Sequence, residues 1–209
     1  MKSHLMVMHL KKDNLKGGVS LMIDRAEAYA KVARTKVDNT NDAVVPVVVE
    51  DRTLVPVRFI SESFDAKVDW VEAESKVIVT LDGKTIELVI GSNQMIVNGT
   101  PQTIDVPATT INNRTMLPLR ALVESLGKNV LWDERGLIII TNSDVKLDAQ
   151  KDIKLSTMII GELISGIAAT NYAAVPSFTQ DIIDEAVAAS CGSWQSNNGN
   201  SSSAEKSAN

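Results

Sequence analysis

Most of the residues in this chain that have chemistry to offer occur twice. Arg58 and Glu62 are four residues apart, and so are Arg120 and Glu124. On a helix that spacing puts both side chains on one face. Such a pair can recognise a carboxylate or a sugar. It can equally form an exposed intrahelical ion pair, worth about 0.3–0.5 kcal/mol. A residue type kept in both places is most simply explained by a demand of the fold, so the ion pair is the expectation. Arg52 and Arg114 each follow a turn, Glu50-Asp51 and Asn112-Asn113, and their five donors suit loop carbonyls. Trp70 and Trp132 have flat faces that match the apolar C–H face of a sugar ring. A small core gains heavily from large buried rings, however, and both are expected to lie buried over a helix.

The other candidates are weaker. Asp69, Glu72 and Glu74, and again Asp133 and Glu134, are spaced closely enough to suggest the paired carboxylates of glycoside hydrolysis. They fall where a turn is expected, and carboxylates there are solvated by default. His4 and His9 both precede the duplicated region, and the single cysteine, Cys191, has no histidine near it. A multi-histidine metal site, a multi-cysteine cluster and an activated thiol are therefore not expected. Neither a Gly-x-Ser-x-Gly elbow nor a phosphate-cradling glycine loop occurs. The expectation is no catalytic residue, no cofactor and no metal. The 209 residues carry a net charge of -5 and a pI of about 5.1. That disfavours a nucleic-acid partner, because binding phosphates calls for basic surface. No apolar run approaches the roughly 18 residues that span a membrane.

The elements that must position these residues form a duplication. Arg52-Thr53-Leu54-Val55-Pro56-Val57-Arg58 recurs as Arg114-Thr115-Met116-Leu117-Pro118-Leu119-Arg120, an offset of 62 that persists through Glu62/Glu124, Val68/Val130, Trp70/Trp132 and Glu72/Glu134. One residue is then lost, and Val77-Ile78-Val79-Thr80 matches Ile138-Ile139-Ile140-Thr141. Upstream, residues 30–38 resemble 97–105 more loosely. Each copy reads as strands, a short helix, then strands. Pro56 and Pro118 mark the helix starts, because the first helical position has an N–H without a partner anyway. Val57, Ile60 and Phe64 recur at helical spacing, as do Leu119, Leu122, Val123 and Leu126. Gly127 suits the residue just past the second helix, a place held by Asp65 in the first. The valine-rich run at 44–49 predicts a buried strand. Asp82-Gly83 and Asn98-Gly99 predict type I′ hairpins, whereas Val32 takes the place of glycine in copy one, where the turn must differ. The predicted fold class is α+β: two repeated lobes, each a small antiparallel β-sheet wrapped around one short helix, followed by a helical C-terminal segment.

This reading divides the chain into an N-terminal extension at 1–20, a duplicated domain at 21–143 (copy one about 21–81, copy two about 88–142), a helical segment at 144–192 and a tail at 193–209. Residues 154–169 are apolar enough for a helix, and Ser177-Phe178-Thr179-Gln180 is a capping box ahead of Ile182, Ile183 and Val187. The Ser/Asn/Gly-rich tail, which begins beside Trp194, has no apolar face and is expected to be disordered. The first residues show neither the apolar stretch nor the cleavage site of a secretory signal. The change in composition near residue 144 suggests the start of a further domain, cut short.

The Arg-Thr-Leu-Val-Pro-Val-Arg-Phe-Ile-Ser-Glu run followed by Val-Asp-Trp resembles the copper amine oxidase N-terminal-like, or stalk, domain. So does the second run, Asn-Arg-Thr-Met-Leu-Pro-Leu-Arg-Ala-Leu-Val-Glu-Ser-Leu-Gly ending in Val-Leu-Trp-Asp. The resemblance covers about residues 21–142 and counts two repeat copies. It implies an antiparallel sheet wrapped around a helix. The repeated motif residues Arg52, Pro56, Arg58, Glu62 and Trp70, with Arg114, Pro118, Arg120, Glu124 and Trp132, are expected to be structural. Copper chemistry is not expected, since the oxidases use three histidines and a tyrosine-derived quinone. This chain has two histidines, and its Asn171-Tyr172 is followed by alanine. The resemblance further implies a bacterial extracellular or cell-surface setting. The role expected is a non-catalytic stalk or interaction module for spacing, dimerisation or attachment. Its partner would be cell-wall polymer or another protein, with a homodimer as a further option. The alternative is the accessory N-terminal region of a larger extracellular enzyme that degrades polysaccharide or peptide.

Overall fold

A computed structural model describes residues 15, 17–31 and 33–165. The chain runs β1 (Val19–Met22), β2 (Glu27–Ala30), β3 (Ala33–Lys36), β4 (Val47–Val49), β5 (Arg52–Pro56), α1 (Val57–Ser63) and β6 (Lys67–Val71). A 3-10 turn at Glu72–Glu74 leads into β7 (Lys76–Leu81), β8 (Lys84–Val89), β9 (Gln94–Val97), β10 (Thr100–Thr103) and β11 (Thr109–Ile111). Then come β12 (Arg114–Pro118), α2 (Leu119–Ser125), β13 (Asn129–Asp133), β14 (Leu137–Thr141) and α3 (Ile153–Ser165). The class is α+β, with three antiparallel sheets, short helices and a C-terminal helix.

The middle of the molecule is a four-stranded sheet in the order β11-β12-β5-β4. Its register sets Val55 opposite Leu117, Met116 opposite Pro56 and Pro118 opposite Leu54. Under the 62-residue offset Val55 and Leu117 are each other's counterparts. The pair therefore lies on a pseudo-two-fold axis, and each copy's strand meets its own duplicate. The same axis relates the other two sheets, β6-β7-β8-β9-β10 and β13-β14-β1-β2-β3. Each of these draws strands from both copies, a mixing that the repeat boundaries do not reveal. In one sheet β7 turns through Asp82-Gly83 into β8. In the other the equivalent contact joins opposite ends of the region, β14 to β1, with Val19 opposite Ile140 and Met22 opposite Leu137.

Local chemistry explains the elements. Glu50-Asp51, Asp82-Gly83, Asn98-Gly99 and Asn112-Asn113 all have positive φ at both positions, as type I′ hairpin turns demand. Both helices end alike. Asp65 N–H donates to Glu62 O and Ala66 N–H to Ser61 O; Gly127 N–H donates to Glu124 O and Lys128 N–H to Val123 O. This Schellman pattern needs a left-handed residue, which glycine supplies freely and aspartate tolerates. Two expectations shift. Pro56 and Pro118 stand one residue before the helices, as the extended last residues of β5 and β12; a ring without an N–H closes each ladder where the helix takes over. The valine run is only partly buried. Val44 is in the core, but β4 is an edge strand, and Val48 and Val49 are exposed. The helix expected at 154–169 is α3. The extension up to Asn14, the capping box at Ser177, Cys191, Trp194 and the tail lie outside the described residues.

The main core gathers Val55, Leu117, Ile60, Leu122, Val79 and Ile140 from both copies. A second cluster breaks the symmetry. Leu155, Ile159, Ile160 and Leu163 of α3 pack on Leu131, Leu137, Ile139, Met22 and Tyr29. They cover the outer face of the β14-containing sheet. As a result β14 is buried along its whole length, while β7 alternates. The sequence explains the difference, because Leu137 corresponds to Lys76 and Leu131 to Asp69. Lys76 Nζ lies 2.7 Å from a Glu74 oxygen and 3.2 Å from one of Glu87, charges that are at home in water. A leucine in that place needs a cover. Polar contacts then fix the helix: Arg135 donates to the Thr157 hydroxyl at 2.8 Å and Arg34 to the Glu162 carbonyl at 3.2 Å.

Ile139 and its counterpart Ile78 test this asymmetry. Ile139→Ala should destabilise by about 2–5 kcal/mol, the range for a fully buried isoleucine. Ile78→Ala should cost less than about 2 kcal/mol, because Ile78 is already partly wet. Equal losses in urea melts would refute the cover assigned to α3.

Candidate functional site

The pseudo-two-fold axis generates two grooves, one at each end of the β5–β12 ribbon. The first, about 850 Å³, is walled by Arg120 and Glu124 of α2, Val130 and Trp132 of β13, and Asp51, Arg52 and Thr53 at the start of β5, with Gln102 and Asp105 closing it. The second, about 700 Å³, is walled by Arg58 and Glu62 of α1, Val68 and Trp70 of β6, and Asn113, Arg114 and Thr115 at the start of β12, with Thr35 and Asp38 closing it. These wall residues correspond from one groove to the other, while Lys84 and Asn98 line only the first and Thr40 and Asp69 only the second. Each groove combines the helix and tryptophan of one copy with the turn arginine of the other.

The turn arginines staple the copies together. Arg52 Nε donates to Asp105 Oδ2 at 3.1 Å, and its Nη1 to the Asp51 carbonyl at 3.3 Å. Arg114 Nε donates to Asp38 Oδ2 at 2.5 Å, its Nη1 to the Asn113 carbonyl at 3.0 Å and its Nη2 to the Thr40 hydroxyl at 3.1 Å. The acidic partners carry no motif of their own. Their signal lies in the looser match of 30–38 with 97–105, which makes Asp38 and Asp105 equivalent. The Thr40 hydroxyl and N–H both donate to Asp38. With Thr40 the largest influence and Arg114 adding to it, they outweigh burial and hold the Asp38 carboxyl down at about 2.

The expectations about the motif residues hold only in part. Trp70 and Trp132 are not core residues; they are 47% and 41% exposed. Both sit on edge strands, β6 and β13, and alternation puts them on the face of Val68 and Val130, beyond the rim of the core. Phe64, Ile60, Leu122 and Leu126 occupy the inner places instead. The expected exposed intrahelical ion pair forms in one copy and not in the other. Arg58 and Glu62 approach only to 3.8 Å with both side chains over half exposed. Arg120 and Glu124 form no ion pair among the described residues.

Charge balances within each groove: Arg52, Lys84 and Arg120 against Asp51, Asp105 and Glu124 in one, Lys36, Arg58 and Arg114 against Asp38, Glu62 and Asp69 in the other. Two of the acidic residues expected in solvated turns stand on strands instead, Asp69 in β6 and Asp133 at the end of β13, where they serve as ion-pair partners. Asp69 lies 2.8 Å from Lys67, and buried Asp133 is 2.6 Å from Arg135, whose guanidinium lowers its pKa. No group of three His, Cys, Asp or Glu able to hold a metal occurs among the described residues. A copper ion does not fit this donor set, since both histidines precede the described region. No helix among these residues is long and apolar enough to cross a membrane.

Internally duplicated sheets around two short helices, with paired surface grooves, define an α+β domain built about an internal pseudo-two-fold. The profile of the copper amine oxidase N-terminal domain matches residues 31–141, more than half of the chain, and the protein belongs to that family. The match is a single domain spanning both copies, so the duplication lies inside one family domain and does not count two of them. This domain is a non-catalytic accessory domain, typically extracellular or at the cell surface. No curated protein matches the chain.

Two measurements follow from the geometry. The folded-state pKa of Asp38, about 2, lies below the unfolded value of about 3.9. Its contribution is therefore complete above about pH 4 and disappears as the pH falls towards 2. Asp38→Asn should be less stable than the parent at pH 6, and the gap in urea midpoints should close between about pH 4 and 2. A constant gap would refute the assignment. Trp70→Ala and Trp132→Ala should each cost less than about 1.5 kcal/mol, well below the 3–5 kcal/mol range of a fully buried ring. A loss of 3 kcal/mol or more would return that ring to the core.

Proposed function

We propose that the chain is a non-catalytic attachment module of a secreted or cell-surface bacterial protein. Its grooves hold extracellular polymer or another protein, and the strand-sharing frame sets the spacing. One observation carries this reading. Between α1 and the turn after β6, the exposed residues identical in both copies are Arg58/Arg120, Glu62/Glu124, Trp70/Trp132 and Glu72/Glu134, and the first three pairs line the grooves. Burial explains why Ile60 and Leu122 are both large and apolar; it does not explain exposed tryptophans in both copies. Sheet edges are poorer attachment surfaces here. The edge strand β10 carries Pro101, β3 carries Arg34 and Lys36, and β4 is three residues long, all features that discourage strand addition. As the accessory region of a larger extracellular enzyme, the module would use the same grooves.

Cosedimentation with isolated bacterial cell walls tests the reading. The full chain should pellet saturably, and a folded Trp70→Ala/Trp132→Ala double variant should stay in the supernatant. Parent and variant that distribute alike would sink the attachment role of the grooves.

A further inference from the structure

Resting on the attachment reading, we infer that the two grooves are equivalent saccharide subsites that take a neutral glycan strand. The occupant follows from the wall chemistry. Each groove presents one half-exposed indole beside an arginine and a glutamate on the adjoining helix, and a second arginine already held by an aspartate on the opposite wall. An indole face pairs with the apolar C–H face of a pyranose ring, while guanidinium and carboxylate groups hydrogen-bond its hydroxyls. A polyanion gains little in such a groove, because positive and negative residues balance in both and the chain as a whole carries -5. A neutral, hydroxyl-rich ligand leaves that balance undisturbed. Volumes of about 850 and 700 Å³ fall in the usual range of small-ligand sites.

The axis through Val55 and Leu117 makes the subsites a pair. Arg52 in one groove and Pro56 in the other are the two ends of β5, about 14 Å apart along an extended strand. Two weak subsites at that separation on one rigid frame bind a polymer more tightly than either alone, because the second contact is intramolecular. Duplication of the lining is thereby useful in itself: a polymer mesh meets the same chemistry at two places.

Calorimetry of the full chain with cellobiose and with the dimer of N-acetylglucosamine, each too short to bridge the two grooves, provides the test. At least one of the two should bind with a stoichiometry of two. In a Trp194→Phe background, the emission of Trp70 and Trp132 should shift on binding. Trp70→Ala and Trp132→Ala should each reduce the stoichiometry to one. The double variant should bind at least tenfold more weakly, and phenylalanine at both positions should restore part of the affinity. Binding that ignores both tryptophans overturns the subsites, and loss of all binding by one single variant overturns their equivalence. If neither oligosaccharide binds while cell walls still retain the chain, the saccharide assignment falls and the attachment reading stands. If walls also fail to retain it, both fall.

Discussion

The ladder between β5 and β12 sets Val55 against Leu117, and that one register fixes most of what surrounds it. A strand paired antiparallel with its own duplicate about a common midpoint creates a two-fold axis. Once that axis exists, α1 and α2, which follow directly from β5 and β12, must leave the ribbon at opposite ends. The strands after each helix are then carried to opposite sides, where they meet the hairpins of the other copy. Shifting the register by one residue would turn Leu54, Val55, Met116 and Leu117 to the wrong faces and separate each helix from its core contacts. All four are buried, so the register is defended by apolar side chains from both directions.

The symmetry is broken only where one copy's surface would be costly to leave open. Lys76 and Asp69 keep one outer sheet face wet, and Leu137 and Leu131 at the same places make the other dry. The helix α3 then covers it, with Leu155, Ile159 and Leu163 fully buried. A duplicated domain that shares one fold can thus carry a third layer on one side only, through a few changes from charge to leucine. The grooves are little touched by this, since they open at the ends of the β5–β12 ribbon; of the changed residues only Asp69 lines one of them.

The local rules of the fold were legible in the chain itself. Positive-φ pairs at Asp82-Gly83 and Asn98-Gly99, the left-handed ends at Asp65 and Gly127, and the helices after Pro56 and Pro118 each depend on a few neighbouring residues. The exchange of strands between copies was not legible, because a repeat shows which segments are equivalent and not which segments pair. The tryptophans misled for a related reason. Trp70 and Trp132 follow Val68 and Val130 in strict alternation, so pattern places them on the inner face; only the sheet order puts β6 and β13 at an edge, where that face has run out of core. The acidic partners of Arg52 and Arg114 are 53 and 76 residues away in sequence, beyond the reach of any local motif.

Walls taken from both copies give each groove a property that neither copy has alone. The helix side of a groove and its turn side are joined in sequence only through the whole length between them, and in space through the β5–β12 ladder and the arginine–aspartate staples. Half of the duplication therefore contains no complete groove, only the helix side of one and the turn side of the other. The staples lie at the groove walls and not in the hydrophobic core: the Arg52–Asp105 pair, half or more exposed, contributes little to global stability by itself, and the Arg114–Asp38 pair, with Asp38 more deeply set, contributes more. Their value is positional: Arg52 and Arg114 are held at a fixed place opposite an indole. A binding surface built from exposed aromatic and charged groups needs such positioning, because long side chains left free lose rotamer entropy on meeting a ligand. The duplication supplies it twice with one set of instructions, and the pairing that makes the fold also brings the two walls of each groove together.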